Sequence, residues 1–366
     1  MERAHLAALA CLPDIKVMSL PGLLNLAGGP VELWGIIAGG GRRAAALVGA
    51  DRAAEWREAC RLMDPGSIIK DLRRRGIGVL IPFDEAYPER LGAIYDPPPL
   101  LFTRGSLLQG KRPCVAIVGS RGASDYGRWA SESMAAELAR RGVVVVSGAA
   151  YGVDGRAHQG CIRAGGFTIA VMGCGVDRVY PAGHAGLLEH VARSGCILSE
   201  FAPGSDPLPW RFPQRNRIIA GLSHAVVVVE ASERSGALIT ADIALDEGRE
   251  VMALPGPITS PLSRGTNTLI QKGAKLVTCA DDICEELPHL PDIKEEDRNA
   301  GDVPGELKDG EKEIIELLRR GPRGLDWLSV SSGIPAGELL PLLTSLSLKG
   351  VILEEVGGRY RLLSKI

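Results

Sequence analysis

Six short apolar runs dominate the middle of this chain: VAIVGS (115–120), VVVVSG (143–148), FTIAVMG (167–173), CILSE (196–200), AVVVVE (225–230) and EVMALPG (250–256). They are continuous rather than alternating, as strands buried on both faces must be. Helix-length segments such as WASESMAAELARRG and ALITADIALDEGR separate them. That alternation predicts an α/β fold, a doubly wound parallel sheet with helices on both faces. IGVLIP (77–82) and PLLFTRG (99–105) read as weaker strands ahead of this core.

The flanks read differently. Residues 1–66 show helical spacing and no strand signal, which predicts a small helical domain. Within it, LPDIKVMSLPGLLNL has the outline of a helix-hairpin-helix but lacks the Gly-x-Gly hairpin, so packing is its expected role. The sheet domain spans 67–285. Residues 286–310 are polar, acidic and broken by Pro and Gly, the composition of a linker. Three helical segments and a Gly-Gly hairpin then predict a winged helix over 311–366. DNA-reading helices present Arg or Lys. PAGELLPLLTSLSLKG offers Glu338 and only Lys349, with Arg359 and Arg361 in the wing. Protein contact or a stabilising cap is expected there ahead of duplex recognition.

Composition narrows the function classes. A net charge of -2 announces no nucleic acid, so any basic surface must be local. Aromatics at 4% exclude a broad base-stacking platform. The 8 cysteines form no CxxC pair and read as reduced, mostly buried thiols, with no metal site. No signal peptide and no membrane-length apolar run is seen, so a cytoplasmic protein without a membrane segment is expected.

Ligands of parallel sheets gather outside the carboxyl ends of the strands. Four segments arrive there with glycine or a cation: GSRGASDYG (119–127), SGAAYGVDGRAH (147–158), GCGVDRVYP (173–181) and PLPWRFPQRNRIIAG (207–221). Glycine after a strand is often only turn geometry, and a lone Arg is often a surface charge. The convergence of Arg121, Arg215 and Arg217 on one rim is what favours an anion. Pro213 sits where a helix could begin, and a helix start adds unpaired N–H groups. Residues 101–128 hold Arg104, Lys111, Arg112, Arg121 and Arg128 against the single acid Asp125. There is no G-x-x-x-x-G-K-[ST] and no G-x-G-x-x-G after the first core strand, so a P-loop hydrolase is excluded and a dinucleotide site is weak. Asp154, Arg156, His158 and His184 lack the nucleophile or metal set that an acid–base site needs.

The ordered series VAIVGSRGASDYG, VVSGAAYGVDGRAH, GCGVDRVYP, SEFAPGSDPLPWRFPQRNRIIAGLS, VVVVEASERSGALITADIALDEGREVMALPG and GTNTLIQKGA resembles the DNA-processing protein A (DprA/Smf) family through nearly all of residues 77–283. The resemblance implies an extended Rossmann-like fold that binds single-stranded DNA and no cofactor. It implies a homodimer that protects incoming strands and loads a RecA-type recombinase during natural transformation, without catalysis. Arg121 matches the family's Gly-Ser-Arg loop, with Gly119, Ser120 and Gly148 beside it. Arg215, Asn216 and Arg217 match its Arg-Asn-Arg segment. After Tyr180-Pro181 the family often carries a basic residue and then Asn. This chain has Ala182, Gly183 and His184, with Arg211 positioned to compensate. Tyr126 or Trp210 could stack a base or simply pack. The dimer surface is expected within residues 237–277, where Leu238, Ile239, Ile243 and Leu269 are apolar. A second resemblance, to nucleotide phosphoribohydrolases of the same fold class, rests on SGALITAD (235–242), with Gly236 and Thr240 but no following Glu in register.

Overall fold

The computed structural model describes residues 1–108, 111–287, 309–318, 321–348, 351–355 and 358–362. The chain divides into two compact units, Met1–Pro291 and Asp292–Ile366. The expected linker falls almost wholly outside the described residues.

The first unit opens with six helices: α1 (Glu2–Ala10), α2 (Leu20–Ala27), α3 (Pro30–Gly39), α4 (Gly41–Val48), α5 (Ala50–Leu62) and α6 (Pro65–Arg74). Gly28, Gly40 and Gly49, all at positive φ, end α2, α3 and α4, the backbone state that stops a helix. Asp64 caps α6 by accepting from the Ser67 amide at 2.7 Å. These helices bury Leu9, Leu33, Ile37 and Trp56 together with Phe102, Met172 and Ile197 of the sheet domain. One apolar core therefore joins the helices to one sheet face, and α6 runs across the expected boundary at 66.

The sheet follows: β1 (Ile77–Leu80), α7 (Glu89–Gly92), β2 (Leu101–Gly105), β3 (Cys114–Val118), α8 (Asp125–Arg140), β4 (Val144–Ser147), α9 (Val153–Arg163), β5 (Thr168–Val171), α10 (Ala185–Ser194), β6 (Gly195–Ser199), α11 (Arg211–Leu222), β7 (Ala225–Val228), α12 (Gly236–Asp246), β8 (Glu250–Ala253), α13 (Arg264–Gln271), β9 (Lys275–Leu276) and α14 (Ala280–Cys284). Its strand order is β1-β2-β6-β5-β4-β3-β7-β8-β9. All six apolar runs form parallel strands. The two weaker strands exist but run antiparallel, β1 against β2 and β2 against β6, which makes the sheet mixed at one edge. Side chains divide by strand periodicity: Val115 and Ile117 pack under α8 and α9, while Ala116 and Val118 pack under α11 and α12.

In the second unit, helices Asp309–Leu318, Leu325–Ser332 and Ala336–Leu348 accompany a three-stranded sheet ordered β10 (Arg323–Gly324), β12 (Arg359–Leu362), β11 (Ile352–Glu355). Ile314, Leu328, Leu343, Ile352 and Tyr360 form its core. This is the winged-helix arrangement.

All eight cysteines are free, and six are buried. Burial pushes the Cys114, Cys161 and Cys196 thiols up to about 12, which suppresses the reactive thiolate. No helix among the described residues is long and apolar enough to cross a membrane.

Candidate nucleic-acid interface

The strand order reverses between β3, which continues to β4, and β7, which continues to β8. In doubly wound sheets a dinucleotide places its pyrophosphate at such a switch point, on the helix after the first strand. Here that helix start is filled from within. Glu230, buried behind β7, accepts from the Ser124 amide at 2.8 Å and from the Ser124 hydroxyl at 2.5 Å. The Ser124 hydroxyl in turn accepts from the Gly127 amide at 3.1 Å. The protein's own carboxylate thus holds the position of a bound phosphate.

The rim beside it is built by the loops after β3, β4 and β5 and by the start of α11. Arg121 is exposed, and its guanidinium carbon lies 5.3 Å from the centre of the Phe212 ring. Among the described residues it has no ion pair. Phe212 is half-buried, with Tyr180 against its ring at 5.2 Å. Arg211 opens α11 and lies over two rings, Phe201 at 4.8 Å and Trp210 at 5.0 Å, while donating to the Asp206 carbonyl at 2.7 Å. Trp210 is 44% exposed. Tyr151, also exposed, meets the His184 ring edge-on at 4.9 Å.

The helix starts at Arg211 rather than Pro213, so Arg215 and Arg217 fall in its second turn. Both are buried, at 5% and 8% exposure. Two residues apart on a helix they point in divergent directions, about 200° apart. Arg215 donates to the Gly148 carbonyl at 2.7 Å and also to the Val171 carbonyl, at the ends of β4 and β5. Arg217 turns the other way, to the Glu200 carboxylate at 2.5 Å and Asp96 at 3.2 Å. Burial drives Glu200 up to about 7 even with Arg217 beside it. Both guanidiniums are buried and turned inward, Arg215 to strand-end carbonyls and Arg217 to carboxylates. Asn216 stays half-exposed between them, accepting from the Arg215 Nε at 3.3 Å.

The glycines also have an internal reason. Gly148 donates its amide to buried Asp154 at 3.2 Å, and Ala150 does so at 3.4 Å. Burial raises the Asp154 carboxyl, and Arg215 opposes the rise. A β-carbon at Gly119 would stand 2.9 Å from the Glu230 carbonyl. The Ser120 amide donates to that same carbonyl at 2.7 Å. Close loop packing thus constrains these positions. Between them and α9, Ala149 adopts φ +52, a left-handed conformation uncommon outside glycine. The His184 Nδ1 holds its carbonyl at 3.0 Å. His184 is thus placed as a brace for the β4 loop.

The basic stretch 101–128 disperses in space. Arg104 pairs with Glu189 at 2.6 Å, Lys111 with Glu89 at 3.0 Å and Arg128 with Asp125 at 2.6 Å. Arg112 donates to the Gly142 carbonyl at 2.8 Å, ahead of the strands rather than after them. Of the five, Arg121 and Arg128 stand at the loop after β3, where Arg128 also donates to the Ala123 carbonyl; only Arg121 is without an ion pair or carbonyl partner among the described residues. Phe212 and Arg178, the latter donating to the Gly204 carbonyl at 3.0 Å, were not singled out from the sequence. An aromatic inside an arginine-rich helix start was the available signal for Phe212. Gly236 opens α12 behind its Ser235 cap, and Thr240 is buried, so the phosphoribohydrolase-like segment serves as a helix start packed on the core. No group of three or more His, Cys, Asp or Glu among the described residues could hold a metal.

Comparison with known proteins agrees with this fold. The family model for DNA recombination-mediator protein A matches residues 78–288, and the model for the DprA winged helix domain matches residues 299–358. The DNA processing protein DprA of Bacillus subtilis is 43% identical over 222 residues, covering 60% of this chain and 75% of that protein. Protein Smf of Escherichia coli is 40% identical over 289 residues, 77% of each. The crystal structure of DprA from Streptococcus pneumoniae superposes with a TM-score of 0.65 at 36% identity, covering 78% of this chain and 97% of that one. DprA of Helicobacter pylori, whose structure is described as giving insight into a single-stranded DNA binding mode, has a TM-score of 0.52 at 30% identity over 57% of this chain and 94% of its own. The chain belongs to the DNA recombination-mediator protein A (DprA/Smf) family.

Proposed function

We propose that this protein binds a single DNA strand across the rim formed by the loops after β3, β4 and β5 and the start of α11. The observation that carries the reading is Arg121: an exposed cation, without an ion pair among the described residues, poised over the Phe212 ring. Arg121 neutralises a phosphate, with Arg211, Ser120 and Asn216 as further polar contacts. Phe212 or the exposed Trp210 offers a stacking face, which every base can use. Gly119, Gly148, Arg215 and Arg217 act one step back: they hold the loops that carry the contacts. The role is non-enzymatic.

The wider role rests on the family. In DNA uptake the bound strand is protected and passed to a RecA-type recombinase in the cytoplasm, and the protein works as a homodimer. Ile239 and Leu245 on α12, 44% and 57% exposed, are apolar groups suited to the dimer surface, whereas Leu269 is spent in the core. A gel-shift series with single- and double-stranded oligonucleotides tests the reading. Binding of single strands without turnover is expected, and a preference for duplex would refute it.

A further inference from the structure

Helix α6 is amphipathic. Its apolar side, Ile68, Ile69 and Leu72, packs into the core shared with the sheet. Lys70, Arg73 and Arg74 stand at i, i+3 and i+4, hence on one face, and all three are exposed. The segment 70–75, KDLRRR, carries four cations and one acid. Asp71 is used by Arg74 at 3.2 Å and Arg75 at 3.7 Å, and Asp64 is used by the helix cap. Lys70 and Arg73 have no ion pair among the described residues.

A charged face on a surface helix is ordinarily just a solvated face. This one differs in its imbalance of sign and in where it leads. Arg75 pairs with Asp177, in the loop after β5. Asp177 accepts from the Gly204 amide at 2.8 Å, and the neighbouring Arg178 donates to the Gly204 carbonyl and pairs with Asp206 at 3.4 Å. The Asp206 carbonyl holds Arg211. A relay of direct contacts thus runs from Arg74, through Asp71 and Arg75, to the rim, and the acids within it are each engaged by cations.

We infer that the exposed face of α6, Lys70, Arg73 and Arg74, is a second phosphate-binding segment that extends the path of the single strand from the rim onto the helical part of the same unit. The inference rests on the rim reading above. An accessory segment of this kind lengthens the site without adding base specificity, because phosphate contacts carry no sequence code.

The test uses the full chain with the triple substitution Lys70→Ala, Arg73→Ala, Arg74→Ala, beside Arg121→Ala. Alanine suits these exposed helical positions, so folding is expected to be retained. Affinity against salt is measured on an oligonucleotide of about six nucleotides, enough for the rim, and on one of about twenty. The triple variant should bind the short strand as wild type does. On the long strand its salt slope should flatten by up to about 2, at about 0.7 per phosphate. Arg121→Ala should weaken both lengths. A triple variant indistinguishable from wild type on the long strand, with Arg121→Ala still impaired, overturns the α6 segment and leaves the rim standing. Equal weakening on both lengths also overturns it, since a general field rather than an extended path would be responsible. Arg121→Ala without effect at either length would remove the rim reading and this inference together.

Discussion

The Arg215 guanidinium lies directly against Gly148: it donates to the glycine's carbonyl at 2.7 Å, and a β-carbon at position 148 would stand 2.5 Å from its central carbon. The pair ties the second turn of α11 to the end of β4, and so sets where the rim loops sit. Gly148→Ala should therefore destabilise the protein by about 1–3 kcal/mol, the range for overpacking a tight site. In a double-mutant cycle with Arg215→Ala the two losses should not add, because removing the guanidinium also removes the atoms that the new β-carbon would strike. Urea unfolding of the four proteins measures this, and strict additivity would contradict the coupling.

Arg121 and Arg217 should separate cleanly. Arg121→Ala leaves the fold intact and flattens the salt dependence of single-strand binding by about 0.7. Arg217→Ala leaves Glu200 buried without its partner, and should cost about 3–5 kcal/mol of stability. Arg217 is what opposes the rise of Glu200, which already sits up at about 7, so in the variant the carboxyl rises further and its protonation relieves part of that loss, the more so as pH falls. Thermal unfolding at two pH values, alongside binding, distinguishes the two arginines.

His158 makes the fold acid-sensitive. It is fully buried, with its Nδ1 2.7 Å from the Thr168 hydroxyl, and burial first, then the charges of His184 and Arg215, lower it from 6.5 to about 3. The unfolded chain takes up a proton on this side chain below about 6.5 while the folded one does not. Its stabilising contribution is thus complete above that value and is lost as pH falls towards 3. The slope approaches about 1.4 kcal/mol per pH unit. His158→Asn should flatten the stability–pH profile between pH 6 and 4.5 by roughly that amount.

Domain roles follow from the shared core. Residues 1–291 should fold and keep most of the single-strand affinity, because every rim residue lies inside them. A fragment beginning at residue 67 should fold poorly: the cut falls inside α6 and uncovers the face of Phe102, Met172 and Ile197. Affinity that followed residues 311–366 instead would make the winged helix the DNA-binding module.

Self-association should respond to α12. Ile239→Glu, at an exposed apolar position, is expected to shift the protein towards monomer in light scattering. An unchanged mass would place any dimer contact elsewhere.

Local pattern was enough to specify the architecture. Continuous Val and Ile runs can be satisfied only by strands covered on both faces, and the parallel sheet follows from the helices between them. The ordered motifs were likewise enough for the family. They could not say which way a side chain points. Arg215 and Arg217 look like anion ligands in FPQRNRIIAG, yet the ends of β4 and β5 leave carbonyls that need donors, and Glu200 needs a counter-charge. Those demands come from segments 17 to 67 residues away in sequence, and they turn both arginines inward. The same reason applies to charge. Arg112 and Arg121 are neighbours along the chain, but β3 carries its two ends to opposite rims, and Arg128 beside Arg121 is taken up by Asp125 and the Ala123 carbonyl. Only the folded sheet decides that Arg121 belongs with Arg211 and Phe212.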